Sequence, residues 1–273
     1  KSSNQVKKYL DCLNGIGTCM YYKGAFHDAF TYLKRAIIET EALLGKEHIS
    51  YSNSLNNLSS LQTDMGEYDS AIGYYRKAVD LELAHGEKDE GIITVYNNLG
   101  GTLEKRGDIH EAIRYYKKAL RIQRELPDGK IINFAGCYLR LASAYLKLNE
   151  VELAYEAQLK ALDYYQDTKD VDGEFVRNRT MTSHWNLVEI SMELKNDSAI
   201  EVYAQRAVAM ELKFLKTLSS RGLSILGEIE MKKGSTAKAI RYFRDKLVKQ
   251  KKQFDGFAQH PALGRTYAQL ANG

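Results

Sequence analysis

The chain has 273 residues, of which 44% are hydrophobic and 27% are charged, so it can bury a core and lacks the composition of a disordered chain. Its 39 basic and 35 acidic residues leave a formal net charge of +4. The two signs are mixed along the chain without a basic stripe, which argues against nucleic acid as a partner.

The rarity of helix breakers predicts long helices, because Pro127 and Pro261 are the only prolines. No stretch reaches the roughly 18 apolar residues of a membrane span, and the N-terminal KSSNQVKKYL is too polar for a signal peptide, so we expect no membrane insertion. The sequence has an odd number of cysteines, and their spacing does not suggest disulfide pairs; they are Cys12, Cys19 and Cys137. This predicts a reducing, cytoplasmic location.

The chain is built from six repeats that follow one another in phase. Each repeat begins with a helical pattern that carries a Leu or Ile, in most cases followed by a small residue, and these pairs recur at steps of 42, 41, 42, 46 and 39 residues. The pairs are Ile16-Gly17, Leu58-Ser59, Leu99-Gly100, Leu141-Ala142, Leu187-Val188 and Leu226-Gly227. A second pattern follows each pair, namely KGAFHDAFTYLKRAI (23–37), MGEYDSAIGYYRKAV (65–79), RGDIHEAIRYYKKAL (106–120), LNEVELAYEAQLKAL (148–162), LKNDSAIEVYAQRAV (194–208) and KGSTAKAIRYFRDKL (233–247).

These two patterns predict a helical hairpin of helix A, a turn and helix B. The small residue on helix A allows helix B to approach closely, and two alanines seven residues apart, such as Ala71 and Ala78, lie on one face of helix B. Bulky side chains between the alanines fill the groove. The turn positions are Gly24, Gly66, Gly107, Asn149, Lys195 and Gly234, of which Lys195 is a poor turn residue.

The Leu-small pair, the turn glycine, the helix B alanines and the aromatic residue between them resemble the tetratricopeptide repeat. The repeats differ from the usual pattern because they span about 42 residues rather than roughly 34. Ile200 and Lys246 also replace alanines in the fifth and sixth repeats. Long repeats with LGKEH (44–48) before helix A and LNNL inside it resemble those of the kinesin light chain.

The resemblance implies an all-α, right-handed superhelical solenoid that forms a single array over residues 1–273. We expect six repeats, a lone terminal helix at 261–272, and a long polar connection at 167–183. The repeats cover about 3–46, 47–88, 89–130, 131–172, 175–217 and 218–255.

The doubled asparagines of SLNNLSSL and YNNLGGTL point to a binding groove. The first asparagines of the two pairs, Asn56 and Asn97, lie at equivalent positions of helix A, and Asn14 is the equivalent residue of the first repeat. An amide is both donor and acceptor, so it can hold a peptide backbone irrespective of the peptide's side chains. The resemblance implies the same use of these asparagines on an extended peptide, and a structural role is the alternative. For Asn57 and Asn98 we expect the structural role, in which they cap or bridge adjacent helices, and binding of a peptide is the alternative.

Other candidate contacts surround these asparagines. Tyr21 and Ser60 follow on the same helix A face, while Trp185 occupies the asparagine position in the fifth repeat as either an exposed anchor or a buried residue. A basic cluster of Lys105, Arg140 and Lys147 and an acidic cluster that includes Glu189 would orient a peptide.

The sequence contains no phosphate-binding loop, no nucleophile elbow and no histidines at metal-ligand spacing, so we expect neither a cofactor nor enzymatic activity. The leading hypothesis is a non-catalytic scaffold that binds a partner peptide in its concave groove. One alternative is a regulatory sensor module, as in bacterial peptide-pheromone receptors, and another is an architectural subunit of a cytoskeletal or ciliary assembly. The oligomeric state stays open.

Overall fold

The protein is described by a computed structural model that covers residues 3–86, 90–126, 131–167, 173–253 and 261–271. These residues form thirteen α-helices and no strand. The helices are α1 (Ser3–Tyr22), α2 (Phe26–Leu44), α3 (Ile49–Asp64), α4 (Tyr68–His85), α5 (Glu90–Arg106), α6 (Ile109–Glu125), α7 (Ile131–Lys147), α8 (Val151–Gln166), α9 (Glu174–Glu193), α10 (Asp197–Leu215), α11 (Ser220–Lys232), α12 (Thr236–Gln253) and α13 (Pro261–Ala271).

The predicted all-α repeat solenoid is confirmed, since successive helices pack against each other from α1 to α7 and from α8 to α13. The chain forms two compact units, an N-terminal unit of residues 1–150 and a C-terminal unit of residues 151–273. In the N-terminal unit the A helices also contact one another in order, α1 with α3, α3 with α5, and α5 with α7. Among the described residues, no helix is both long and apolar enough to cross a membrane.

Helices A and B meet where a small residue on A faces a large side chain on B. A Cβ atom added to Gly100 would lie 2.5 Å from the Tyr116 ring, and one added to Gly227 would lie 2.4 Å from the Phe243 ring. Both distances are far below van der Waals contact, so a larger residue at either position would force the ring to move. The helix B alanines of the first four repeats are fully buried; they are Ala29, Ala36, Ala71, Ala78, Ala112, Ala119, Ala154 and Ala161.

All six predicted turns lie where expected, and each turn residue has a positive φ. The four glycines adopt this left-handed conformation without steric strain. Asn149 has a φ of 59° and Lys195 a φ of 55°, so the lysine adopts a conformation that its side chain disfavours. The hairpin contacts on either side therefore impose the turn even where the residue is poor.

The two replaced alanines are accommodated differently. Ile200 joins a buried cluster with Trp185 and Ile225, so a larger apolar side chain fills the space. Lys246 is only 8% exposed, and its ammonium donates to Ser224 Oγ at 3.0 Å and to Gln269 Oε1 at 2.9 Å. Burial lowers the pKa of Lys246 below its ordinary value.

The expected polar connection at 167–183 is wrong over its second half, because residues 174–183 form the first turns of α9. Val176, Thr180 and Ser183 are buried at helical spacing. The many polar residues of this segment are typical of a loop. In the structure the Thr180 hydroxyl donates to the carbonyl of Val176 one turn earlier at 2.8 Å, so it is satisfied within the helix. Residues 168–172 lie outside the described part of the chain.

Enlarging the small residue of the sixth repeat should destabilise the C-terminal unit. Gly227→Ala is expected to lower the free energy of unfolding by about 1–3 kcal/mol, because the new methyl group overlaps the Phe243 ring. Gly264→Ala is the matched control, since Gly264 occupies the same repeat position in α13 with open space around it. Urea unfolding followed by the fluorescence of Trp185 would measure both variants, and equal stability of the two would contradict the packing argument.

A buried histidine should make the C-terminal unit sensitive to acid. Burial, with a smaller contribution from Arg206, lowers the pKa of His184 from 6.5 to about 4. Below pH 6.5 the unfolded chain therefore binds a proton that the folded chain rejects. Stability should fall between pH 6.5 and about 4, by up to about 3 kcal/mol from this group.

The variant His184→Gln removes this titrating group while keeping a polar side chain. We expect its urea midpoint, read by Trp185 fluorescence, to change less between pH 7 and pH 4 than that of the wild type. Parallel pH profiles for the two proteins would show that His184 does not carry this dependence.

Candidate functional site

The first asparagines of three successive A helices lie on one face of the N-terminal unit. Asn14 on α1, Asn56 on α3 and Asn97 on α5 are each partly buried. Because α1 contacts α3 and α3 contacts α5, a repeat step of about 42 residues places equivalent positions beside each other. The structure thus brings together the three residues that the sequence singled out.

The second asparagine of each pair joins the first asparagine of the preceding repeat, which is the predicted helix bridge. Asn57 Nδ2 donates to Asn14 Oδ1 at 3.4 Å, and Asn98 Nδ2 donates to Asn56 Oδ1 at 3.0 Å. Within one pair, Asn56 Nδ2 donates to Asn57 Oδ1 at 3.5 Å. Four amides therefore form one hydrogen-bonded series from α5 through α3 to α1, here called the amide chain.

The amides on this face keep part of their hydrogen-bonding capacity. A primary amide has two donor hydrogens and two acceptor lone pairs, of which Asn56 uses one of each. Asn97 exchanges hydrogen bonds with Cys137 Sγ at 3.3 and 3.4 Å. Asn14 Nδ2 uses both hydrogens, on Ser54 Oγ at 3.0 Å and on a backbone carbonyl at 3.2 Å, so its spare capacity lies on Oδ1.

Asp64, near the C-terminal end of α3, links three A helices. It accepts hydrogen bonds from the Tyr21 hydroxyl of α1 and from Lys105 Nζ of α5, the latter at 2.6 Å. Burial alone would raise the pKa of Asp64, but the hydrogen bonds from Lys105 and Tyr21 outweigh it and hold that pKa below its ordinary value. Burial and the same carboxylate raise the pKa of Tyr21 to about 12.

Glu104 repeats this arrangement one helix further along. It accepts from Lys147 Nζ at 3.0 Å, and from the Ser143 and Tyr116 hydroxyls at 2.8 Å. Burial favours a raised pKa for Glu104, but these three hydrogen bonds together lower it. Two lysines of the predicted basic cluster, Lys105 and Lys147, are therefore paired with carboxylates of the preceding A helix.

The remaining candidates of the N-terminal unit have different surroundings. Arg140 is exposed and makes no ion pair within the described residues; its guanidinium carbon lies 6.0 Å from the centroid of the Tyr116 ring. Ser60 Oγ shares a hydrogen bond of 2.8 Å with the Tyr75 hydroxyl, which ties it to helix B of its own hairpin. Arg140 is thus the cation of this cluster that stays available to a ligand.

The two candidates of the C-terminal unit are already engaged. Trp185 is 2% exposed, and its Nε1 donates to Glu211 Oε1 at 2.9 Å. It is therefore a buried residue and not an exposed anchor for a ligand. The indole belongs to the core and presents no surface for a ligand. Glu189 accepts from the Arg221 guanidinium at 2.6 Å, which cancels the charge expected to orient a peptide.

The sequence model of the tetratricopeptide repeat matches residues 9–83, 81–125 and 91–167, which together exceed half of the chain. This chain belongs to the tetratricopeptide repeat family. No curated protein matches its sequence significantly.

Within the described ranges, no group of three or more His, Cys, Asp or Glu side chains could hold a metal ion.

Solved structures of tetratricopeptide-like proteins share the fold at low sequence identity. BtubC (BKLC) from P. vanneervenii is 18% identical with a TM-score of 0.70, over 80% of this chain and 85% of that one. The putative kinesin light chain repeats of Podosopora anserina are 16% identical with a TM-score of 0.63, over 77% and 98%. PilF of Pseudomonas Aeruginosa is 14% identical with a TM-score of 0.65, over 97% and 99%.

A set of buried polar side chains on the B helices was not identified from the sequence. They occupy the position four residues after the second alanine, which is polar in five repeats and Tyr165 in the fourth. That recurrence was the available signal. The positions hold Thr40, Glu82, Gln123, Tyr165, Glu211 and Gln250.

Proposed function

We propose that the protein is a non-catalytic scaffold whose N-terminal unit binds an extended peptide segment of a partner protein along its A helices. Membership of the tetratricopeptide repeat family supports protein interaction in general. The observation that carries the finer proposal is the amide chain with its spare donors and acceptors. Three free cysteines support a cytoplasmic setting for this role.

The spacing of the asparagines suits an extended peptide. Packed helices lie about 8–10 Å apart, and an extended chain advances about 3.3 Å per residue. One asparagine would therefore be available for roughly every third peptide residue. Each peptide group offers one N–H donor and one C=O acceptor, which match the donor and acceptor left on Asn56 and Asn97.

The hydrogen bonds among the amides also favour binding on entropic grounds. A free asparagine side chain loses rotamer freedom when it holds a ligand, and this loss weakens the affinity. Asn14 and Asn56 are already oriented by neighbouring amides before any peptide arrives. Because the recognition would be of the backbone, the amide chain sets the register of the peptide and leaves selectivity to neighbouring side chains.

The proposal can be tested with the triple variant Asn14→Ala, Asn56→Ala and Asn97→Ala, which removes two members of the amide chain and Asn97 beside it. Peptides that bind the wild type would be selected from a random dodecapeptide phage library, synthesised, and measured by calorimetry. Loss of three hydrogen bonds, at about 0.5–1.5 kcal/mol each, should weaken binding by roughly tenfold to a thousandfold. Unchanged affinity with an intact fold would refute the proposal.

Two further variants separate binding from folding. Asn4→Ala combined with Asn178→Ala changes exposed asparagines outside the amide chain and should leave the affinity unaltered. If the triple variant unfolds, Asn97→Ala alone is informative, since Asn97 bonds to Cys137 and is not a member of the amide chain. Circular dichroism and thermal unfolding would establish that each variant is folded.

A further inference from the structure

A cavity of about 280 Å³ lies between α5 and α7 in the N-terminal unit, next to the amide chain. Its walls include Asn97, Asn98 and Cys137, together with the exposed Arg140, so it reaches the surface on the same face. One liquid water occupies about 30 Å³, so the cavity has room for a whole side chain.

Gln123 of α6 also lines this cavity and is unusual in its hydrogen bonding. The side chain is 0% exposed, yet neither Oε1 nor Nε2 has a hydrogen-bond partner among the described residues. A buried polar group without a partner is destabilising, so native proteins rarely retain one. Gln123 thus offers a donor and an acceptor to a group that enters the cavity.

Comparison with the other repeats explains why the amide has no partner. Glu82 accepts from Ser52 Oγ of its own helix A at 2.6 Å, and Thr40 shares a hydrogen bond with Ser54 of the next helix A at 3.4 Å. At the Ser52 and Ser54 positions around Gln123 the chain has Ile93 and Cys137. The hydroxyl partners have been replaced by an alkyl group and a thiol, and both of these residues line the cavity.

We propose that this cavity receives a side-chain carboxamide, Asn or Gln, from the peptide bound on the A-helix face. A carboxamide presents a donor and an acceptor side by side, so it can satisfy Nε2 and Oε1 of Gln123 together. A carboxylate would leave Oε1 unpaired and would meet the like charge of Glu90 in the same wall, while the guanidinium of Arg140 disfavours a basic side chain. This inference rests on the proposed function, because the peptide delivers the carboxamide.

The test repeats the phage selection with the wild type and with Gln123→Leu. Peptides selected by the wild type should share an Asn or Gln at one fixed position, and those selected by Gln123→Leu should carry an apolar residue there. Changing that residue to Leu in the best wild-type peptide should weaken binding to the wild type by about tenfold to a hundredfold, and to Gln123→Leu by much less.

The substitution is expected to leave the fold intact, since an apolar side chain of similar size replaces an unpaired amide. Gln166→Leu, at an exposed position of α8, is the matched control and should select the same peptides as the wild type. If peptides depend on the three asparagines but show no carboxamide preference and bind Gln123→Leu equally, the cavity inference fails and the proposed function stands. If the wild type selects no peptide, both fail.

Discussion

The close contact between a small residue on helix A and a large side chain on helix B is the constraint on which the rest depends. Gly100 against Tyr116 and Gly227 against Phe243 leave no room for even one methyl group. This contact fixes how the two helices of a hairpin lie against each other. The hairpin recurs about every 42 residues, and this repetition turns helices of modest intrinsic stability into a solenoid, because each repeat buries apolar surface against the next.

The polar face of the N-terminal unit follows from the same repetition. Residues about 42 positions apart come within hydrogen-bonding distance because their A helices are neighbours, as Asn56 and Asn98 show. Tyr21, Asp64 and Lys105 form a second cross-helix series by the same geometry. In both series a side chain is oriented by the adjacent repeat, so the face is ordered before a ligand binds.

The C-terminal unit keeps the hairpins and changes what they display. Trp185 stands where the earlier repeats have asparagine, and it fills the core while its N–H donates to the buried Glu211. That carboxylate also accepts from the backbone N–H of Ser219 at 2.7 Å, which links α10 to the start of α11. The position that offers an amide in one unit therefore stabilises packing in the other.

The sequence by itself determined the fold class, the hairpins, their turns and the face on which Asn14, Asn56 and Asn97 lie, because each depends on local spacing and on residue size. Only the tertiary structure decided which side chains are already engaged. Lys105 and Lys147 are paired, Trp185 is buried, and Gln123 has no partner among the described residues. These outcomes depend on residues of other helices, some 40 positions away for the two lysines and 26 for Trp185, whose distance and direction are set by packing.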